Sequence, residues 1–164
     1  MITVKINGEE RQYPQGATYE DVANDYQKEY DNLIALAARD GKIRELFKKL
    51  TRDCEITFFT LKDDVGNKTY VRSATMLFLK AVFDVFGRET VQNCRVEFAI
   101  GNGSYISPKG KINATEENAA KIRNRMRELV EAKTPFLKKS YSLDNAMELF
   151  QREGMKDKEK LFRY

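Results

Sequence analysis

The 164-residue chain contains no histidine, and that absence limits what its other side chains can do. Imidazole is the usual agent of proton transfer near neutral pH. Ser73, Ser104 and Ser107 therefore lack the base that would turn a hydroxyl into a nucleophile. Cys54 and Cys94 are the two cysteines, too few for a structural zinc site. Each lies in an apolar-patterned stretch, which predicts buried thiols rather than a disulfide and fits a reducing cytoplasm. Gly101-x-Gly103 lacks the third glycine of a dinucleotide loop and reads as a turn. Gly110-Lys111 is followed by Ile112, and position 105 is Tyr, so the phosphate loop Gly-x4-Gly-Lys-Ser/Thr is absent. Asp63-Asp64 could suggest a metal, but a linker turn is the plainer reading. No catalytic residue and no metal ligand is assigned.

What remains is recognition. Lys121, Arg123, Arg125 and Arg127 recur along one helical stretch, with Lys121 beside Arg125 and Arg123 beside Arg127 on neighbouring outer faces. They are the candidate RNA contacts; the plain alternative is a solvated face. Arg72, Asn102 and Tyr105 form a second group, a candidate pocket for a small anionic or nucleotide-like ligand. Arginine offers fixed, always-charged donors suited to carboxylate or phosphate. The alternative is that Asn102 only tolerates positive φ and that Tyr105 packs.

The elements that must position these residues centre on Asn67 to Ser107. Val71, Thr75, Phe78, Val82 and Val85 recur at helical spacing, with Ala74, Leu77 and Ala81 beside them. A stripe this wide predicts a helix covered on most sides, the centre of a core. Gly87 is placed to stop it. A polar connection follows. Val96, Phe98 and Ile100 then alternate with Glu97 and Ala99, as a half-buried strand does. Gly101-Asn102-Gly103 bends the chain. Any pocket is expected between that helix and that turn.

Before this centre, Ile2, Val4 and Ile6 alternate into an Asn7-Gly8 hairpin signal, with a polar return strand over 9–13. Thr18, with Asp21 three residues on, resembles a capping box ahead of a stripe of Tyr19, Val22, Ala23, Tyr26 and Tyr30. A short apolar strand over 33–38 turns at Asp40-Gly41. An apolar connector of Leu46, Phe47 and Leu50 and a turn at 51–53 lead to a strand over 54–59. After the centre, Thr115 is the expected N-cap of a helix with Ile122, Met126, Leu129 and Val130 inward. Next come a Pro135-led strand over 136–141 and a helix capped by Ser142, with Ala146, Leu149 and Phe150 inward and Gly154 at its end.

Charged residues make up 33% and hydrophobic ones 41%, an ordinary balance for a soluble globular chain. No stretch approaches the roughly 18 apolar residues of a membrane span. The opening MITVKING is a strand and turn rather than a signal peptide. The charge is uneven: residues 1–62 carry net −1 and residues 63–164 net +5, out of +4 for the whole. This mild basic excess suits nucleic acid or lysine-rich solvated helices equally.

The order hairpin, helix, strand, strand suits a ubiquitin-like β-grasp sheet on one helix. Four of its pieces resemble a TGS domain, the module at the front of threonyl-tRNA synthetases and some GTPases. They are the Asn-Gly hairpin, the Pro14–Gly16 approach to the helix, Ile34-Ala35-Leu36-Ala37-Ala38 with its Asp40-Gly41 turn, and Cys54-Glu55-Ile56 leading to Leu61-Lys62-Asp63-Asp64. Residues 70–164 resemble the second N-terminal domain of threonyl-tRNA synthetase, which carries its editing site. The matching pieces are the long helix, the strand, the turn Gly101-Asn102-Gly103-Ser104-Tyr105, the capped helix, and Ala146, Leu149-Phe150, Gly154 and Lys156. The family's editing chemistry depends on a His-x-x-x-His pair on the long helix, with a cysteine and another histidine near the domain's end. Arg72 and Met76 stand at the aligned helical positions. Arginine does not give up its proton to bind zinc, and a thioether is a poor zinc ligand. The resemblance thus implies the scaffold without its editing chemistry.

The fold class expected is α+β: a TGS-like β-grasp domain over 1–62, then a synthetase editing-domain-like α+β domain over 63–164. The close KDKEKLFRY has no tapering polar tail, which suggests a piece of a longer protein. Together these features also resemble the N-terminal part of a bacterial uridine (nucleoside) kinase family. That resemblance implies a non-catalytic accessory or regulatory module whose partner is its own downstream kinase domain. It places ATP and magnesium, with a P-loop, in the parent protein beyond Tyr164, and none in these residues. The alternative is a free-standing RNA- or tRNA-binding relative of the synthetase N-terminus. A cytoplasmic location and no membrane partner are expected.

Overall fold

The structure, a computed structural model, describes residues 1–101, 103–108 and 113–162. The chain opens with β1 (Ile2–Ile6) and β2 (Glu9–Tyr13), paired antiparallel with Ile6 opposite Glu9. Asn7 at φ 51° and Gly8 at φ 89° form the left-handed turn between them, which matches the right-handed twist of the strands. Next come α1 (Tyr19–Tyr26), a 3-10 turn (Gln27–Glu29), β3 (Ile34–Arg39), β4 (Lys42–Arg44) and β5 (Cys54–Thr60). The strands form one mixed sheet in the order β2-β1-β5-β3-β4, with β1 parallel to β5 and the other pairs antiparallel. β4 was not among the expected strands: three residues are too short for alternation to show.

Period-two burial puts Ile2, Val4 and Ile6 of β1 and Ile56 and Phe58 of β5 inward, and Ile34 and Ala37 of β3 join the same core on either side of a register shift between Ile34 and Leu36. Tyr19, Val22, Ala23 and Tyr26 of α1 cover that core. The capping box expected at the start of α1 is present. The Asp21 N–H donates to Thr18 Oγ1 at 3.1 Å, and the Thr18 N–H donates to Asp21 Oδ2 at 2.7 Å. Of the expected connector, Leu50 is buried and Leu46 packs on the core, but Phe47 is exposed.

α2 (Asp64–Phe86) follows at once, so the expected division after residue 62 falls in the turn between β5 and α2. Asp63 sits at the N-cap. Its carboxylate turns back to accept from the Thr60 N–H at 2.7 Å and the Thr60 hydroxyl at 2.9 Å. Those bonds hold the carboxyl below its ordinary pKa, the backbone bond most strongly. Gly87 at φ 82° ends the helix as expected. The connection to the next strand holds a short helix, α3 (Arg88–Asn93). β6 (Cys94–Ile100) and β7 (Gly103–Pro108) form an antiparallel hairpin, irregular between Val96 and Phe98. α4 (Glu116–Glu131) starts after Thr115, whose Oγ1 accepts from the Asn118 N–H.

The molecule divides into two compact units, Met1–Glu128 and Leu129–Tyr164. In the second unit α5 (Leu143–Arg152) is capped by Ser142, and Gly154 at φ 65° follows its end. α6 (Lys156–Leu161) returns so that Phe162 meets Phe150 with ring centroids 5.4 Å apart.

Four expectations are corrected. α2 is not the centre of the core: along it only Gly66, Ala81 and Val82 are buried, while Tyr70, Val71, Met76 and Phe83 are exposed. The deep core is the sheet face under α1. The strand over 136–141 is absent. That stretch is non-repetitive, with Phe136, Leu137 and Tyr141 exposed, and among the described residues no strand pairs with it. Val130 points outward at 61% exposure, one position past buried Leu129. Cys54 and Cys94 are free thiols, each half-buried rather than fully buried.

Candidate functional site

The expected pocket location is met in part. A cavity of about 580 Å³ lies between α2, the β6–β7 hairpin and the first half of α4. Phe78 and Val82 of α2, Ile106 of β7, and Ile122 and Met126 of α4 form its apolar wall. Its rim is polar: Asn113, Thr115, Glu116, Asn118 and Arg123. Arg123 and Glu116 are paired there at 3.4 Å. Cys94 lines the same cavity, with its thiol pKa pushed up by desolvation. Such a cavity suits an apolar group oriented by a few rim hydrogen bonds.

Of the pocket candidates, neither Arg72 nor Tyr105 lines this cavity. Arg72 stands exposed on α2 four residues before exposed Met76. Tyr105 lies on β7, where its ring stacks on that of Phe98 across the hairpin, centroids 5.1 Å apart and planes 23° from parallel. The pair is partly exposed, with Tyr105 at 47%. Asn102 lies outside the described residues.

The four cations of α4 differ from one another. Lys121 pairs with Glu117 at 2.7 Å, one helical turn back. Arg123 pairs with Glu116. Arg125 reaches across to α2: its Nε donates to Asp84 at 2.9 Å, and its Nη1 donates to Glu128 at 2.8 Å. Asp84 also accepts from Lys80, and the Lys80 and Arg125 bonds hold its carboxyl below the ordinary range. Arg125 is thus a brace between two helices. Arg127 is exposed, with no ion pair among the described residues.

A third place went unnoticed in the sequence. Arg39, Arg44, Lys48 and Lys49 converge with Tyr19 and Thr51 around a cleft of about 490 Å³ on the sheet end of the first unit. They come from β3, β4 and the connector after it, inside a stretch whose net charge is −1. Net charge hid the cluster. The pair Lys48-Lys49, just after the short β4, was the signal that could have shown it.

Among the described residues no group of three or more His, Cys, Asp or Glu side chains is placed to hold a metal ion. No described helix is long and apolar enough to cross a membrane.

No family model matches the chain. Curated proteins do. The threonine–tRNA ligase of Thermotoga petrophila is 29% identical over 160 residues, which cover 94% of this chain and 24% of the relative. That of Maricaulis maris is 29% identical over 164 residues, 99% of this chain and 25% of the relative. That of Carboxydothermus hydrogenoformans is 26% identical over 155 residues, 94% and 24%. The chain therefore spans about a quarter of the length of the curated relatives it matches. The similarity is to the N-terminal regions of these ligases, and it lends no support to the uridine kinase expectation.

Proposed function

We propose that this chain is a tRNA-contacting accessory module, non-catalytic in itself, built on the scaffold of a synthetase N-terminal region. The observation that carries the reading is the similarity to threonine–tRNA ligases along nearly the whole chain, from the first sheet through α6. The mixed five-stranded sheet under one capped helix supports a TGS-like reading of the first 62 residues. The lack of editing chemistry is supported by Arg72 and Met76, which stand where the resemblance implies a histidine pair. Neither side chain can carry zinc or shuttle a proton near neutral pH.

The contact is assigned to the outer face of α4. Lys121 and Arg123 are paired with exposed carboxylates, and such surface pairs contribute about 0–1 kcal/mol. A phosphate can therefore displace Glu117 or Glu116 at little cost. Arg127 needs no displacement. Arg125, tied to Asp84 and Glu128, is left out of the contact set.

Binding of tRNA by the full chain, measured across a salt series, tests the reading. The logarithm of affinity should fall linearly with the logarithm of salt concentration. Replacing Lys121, Arg123 and Arg127 together by alanine should flatten the slope by about 2 to 3, since each phosphate contact contributes about 0.7–0.9. An unchanged slope would remove α4 as the contact face. No binding at low salt, or hydrolysis of mischarged tRNA by the purified chain, would refute the reading as a whole.

A further inference from the structure

We infer that the cavity between α2, the β6–β7 hairpin and the first half of α4 binds an uncharged, mainly apolar small molecule that carries one hydrogen-bonding head group. Its walls use the inner face of α4, so the site stands whether or not the outer face of that helix contacts tRNA.

Size and lining set the class of ligand. At about 580 Å³ the cavity falls within the range of about 300–1,000 Å³ that small-ligand sites occupy. Folded interiors hold few voids larger than a water molecule. Here Phe78, Val82, Ile106, Ile122 and Met126 meet across one from three elements. Val82 is 1% exposed, while Phe78, Ile106, Ile122 and Met126 are half-buried. An empty cavity leaves those four side chains partly in water, and an apolar body seated among them removes that surface from water. Met126, unbranched and polarizable, adapts to the shape of a guest.

The rim sets the head group. Thr115 Oγ1 accepts from the Asn118 N–H at 3.3 Å, which leaves the hydroxyl proton to donate. Asn118 Nδ2 donates to the Asn113 carbonyl at 3.0 Å, which leaves Oδ1 to accept. Ser104 of β7 adds a hydroxyl able to do either. An amide or hydroxyl head matches this mixed set. The described lining holds one acid and one base, Glu116 and Arg123, and they are paired with each other. An anion would meet Glu116 beside Arg123, and a cation Arg123 beside Glu116. Either ion would give up its water without gaining an unshared partner.

This is not the place where the resemblance sets a histidine pair. Neither Arg72 nor Met76 lines the cavity. Phe78 and Val82 lie six residues beyond them, about 120° away around α2.

The test is a methyl NMR titration of the full chain with hydrocinnamamide, hydrocinnamate and phenylpropylammonium. The three share one apolar body and differ in a neutral, anionic or cationic head. The amide should give saturable shifts at the methyls of Ile106, Ile122 and Met126, with those of Ile2, Ile6 and Ile34 in the sheet core unmoved. It should bind several-fold tighter than either ion. Ser104→Ala, at an exposed position where folding is not in question, should weaken it several-fold. Met126→Trp fills the cavity and should abolish binding, whereas Arg72→Ala should leave it unchanged. No saturable shift, shifts confined to other methyls, an ion that binds as tightly as the amide, or unchanged affinity in Ser104→Ala or Met126→Trp would each overturn the inference.

Discussion

Gly66→Ala offers a direct test of how α2 is seated on the sheet. At an ordinary helix position alanine is more stable than glycine by about 1 kcal/mol. At position 66 an added Cβ would sit 2.0 Å from the Thr60 carbonyl oxygen and 2.8 Å from its carbonyl carbon. Close carbon–oxygen approaches in proteins stop near about 3.3 Å. The first turn of α2 must therefore retreat by more than roughly 1 Å, against a turn already fixed by the Asp63–Thr60 bonds. Overpacking of this kind costs about 1–3 kcal/mol, and a rigid backbone neighbour places the cost at the upper end. After the helix-propensity gain, a net loss of about 2 kcal/mol is expected. With a urea slope of about 2 kcal/mol per molar, the midpoint should fall by about 1 M. Asn67→Ala, one residue on with its side chain in solvent, controls for propensity and should leave the midpoint level or slightly raised. A Gly66→Ala midpoint equal to or above the parent's would show that α2 does not approach Thr60 as described, and would refute the reasoning.

Two further outcomes follow from buried and charged groups. Tyr26 is 1% exposed and its hydroxyl is unpartnered, so Tyr26→Phe should raise stability by about 1 kcal/mol, read as a higher thermal midpoint; a lower midpoint would reveal a partner. Asp21 and Asp63 are held below the ordinary carboxyl range by bonds from Thr18 and Thr60. The unfolded chain then binds more protons than the folded one as pH drops, so their contribution is full above about pH 4 and is lost as pH falls through the lowered folded values. Urea midpoints measured from pH 6 downward should decline below about pH 4, and less so in Asp63→Asn; identical declines in variant and parent would remove Asp63 from the effect.

Local signals were legible wherever a few neighbouring residues decide the outcome. The Asn7-Gly8 hairpin, the Thr18–Asp21 capping box, the Gly87 stop and the Ser142 cap all stand as the sequence implied. Each depends on φ preference or on a side chain reaching an amide three residues away. Period-two alternation likewise identified the buried face of β1. Periodicity could say that α2 has an apolar stripe, but not whether anything covers it. The structure buries only Val82 of that stripe, leaves Val71 exposed and Thr75, Phe78 and Val85 half-buried, because coverage depends on elements far along the chain. The apolar run at 136–141 failed for the same reason: a strand exists only when another backbone pairs with it. Charge was misleading at both candidate surfaces. Residues 121–127 look basic in sequence, yet Glu116, Glu117, Asp84 and Glu128 pair with three of their four cations. Residues 1–62 look slightly acidic, yet the turn from β3 into β4 and the connector behind α1 bring Arg39, Arg44, Lys48 and Lys49 to one cleft. Sequence counts charges along a line, whereas electrostatic attraction depends on distance in space, and the tertiary fold alone sets those distances.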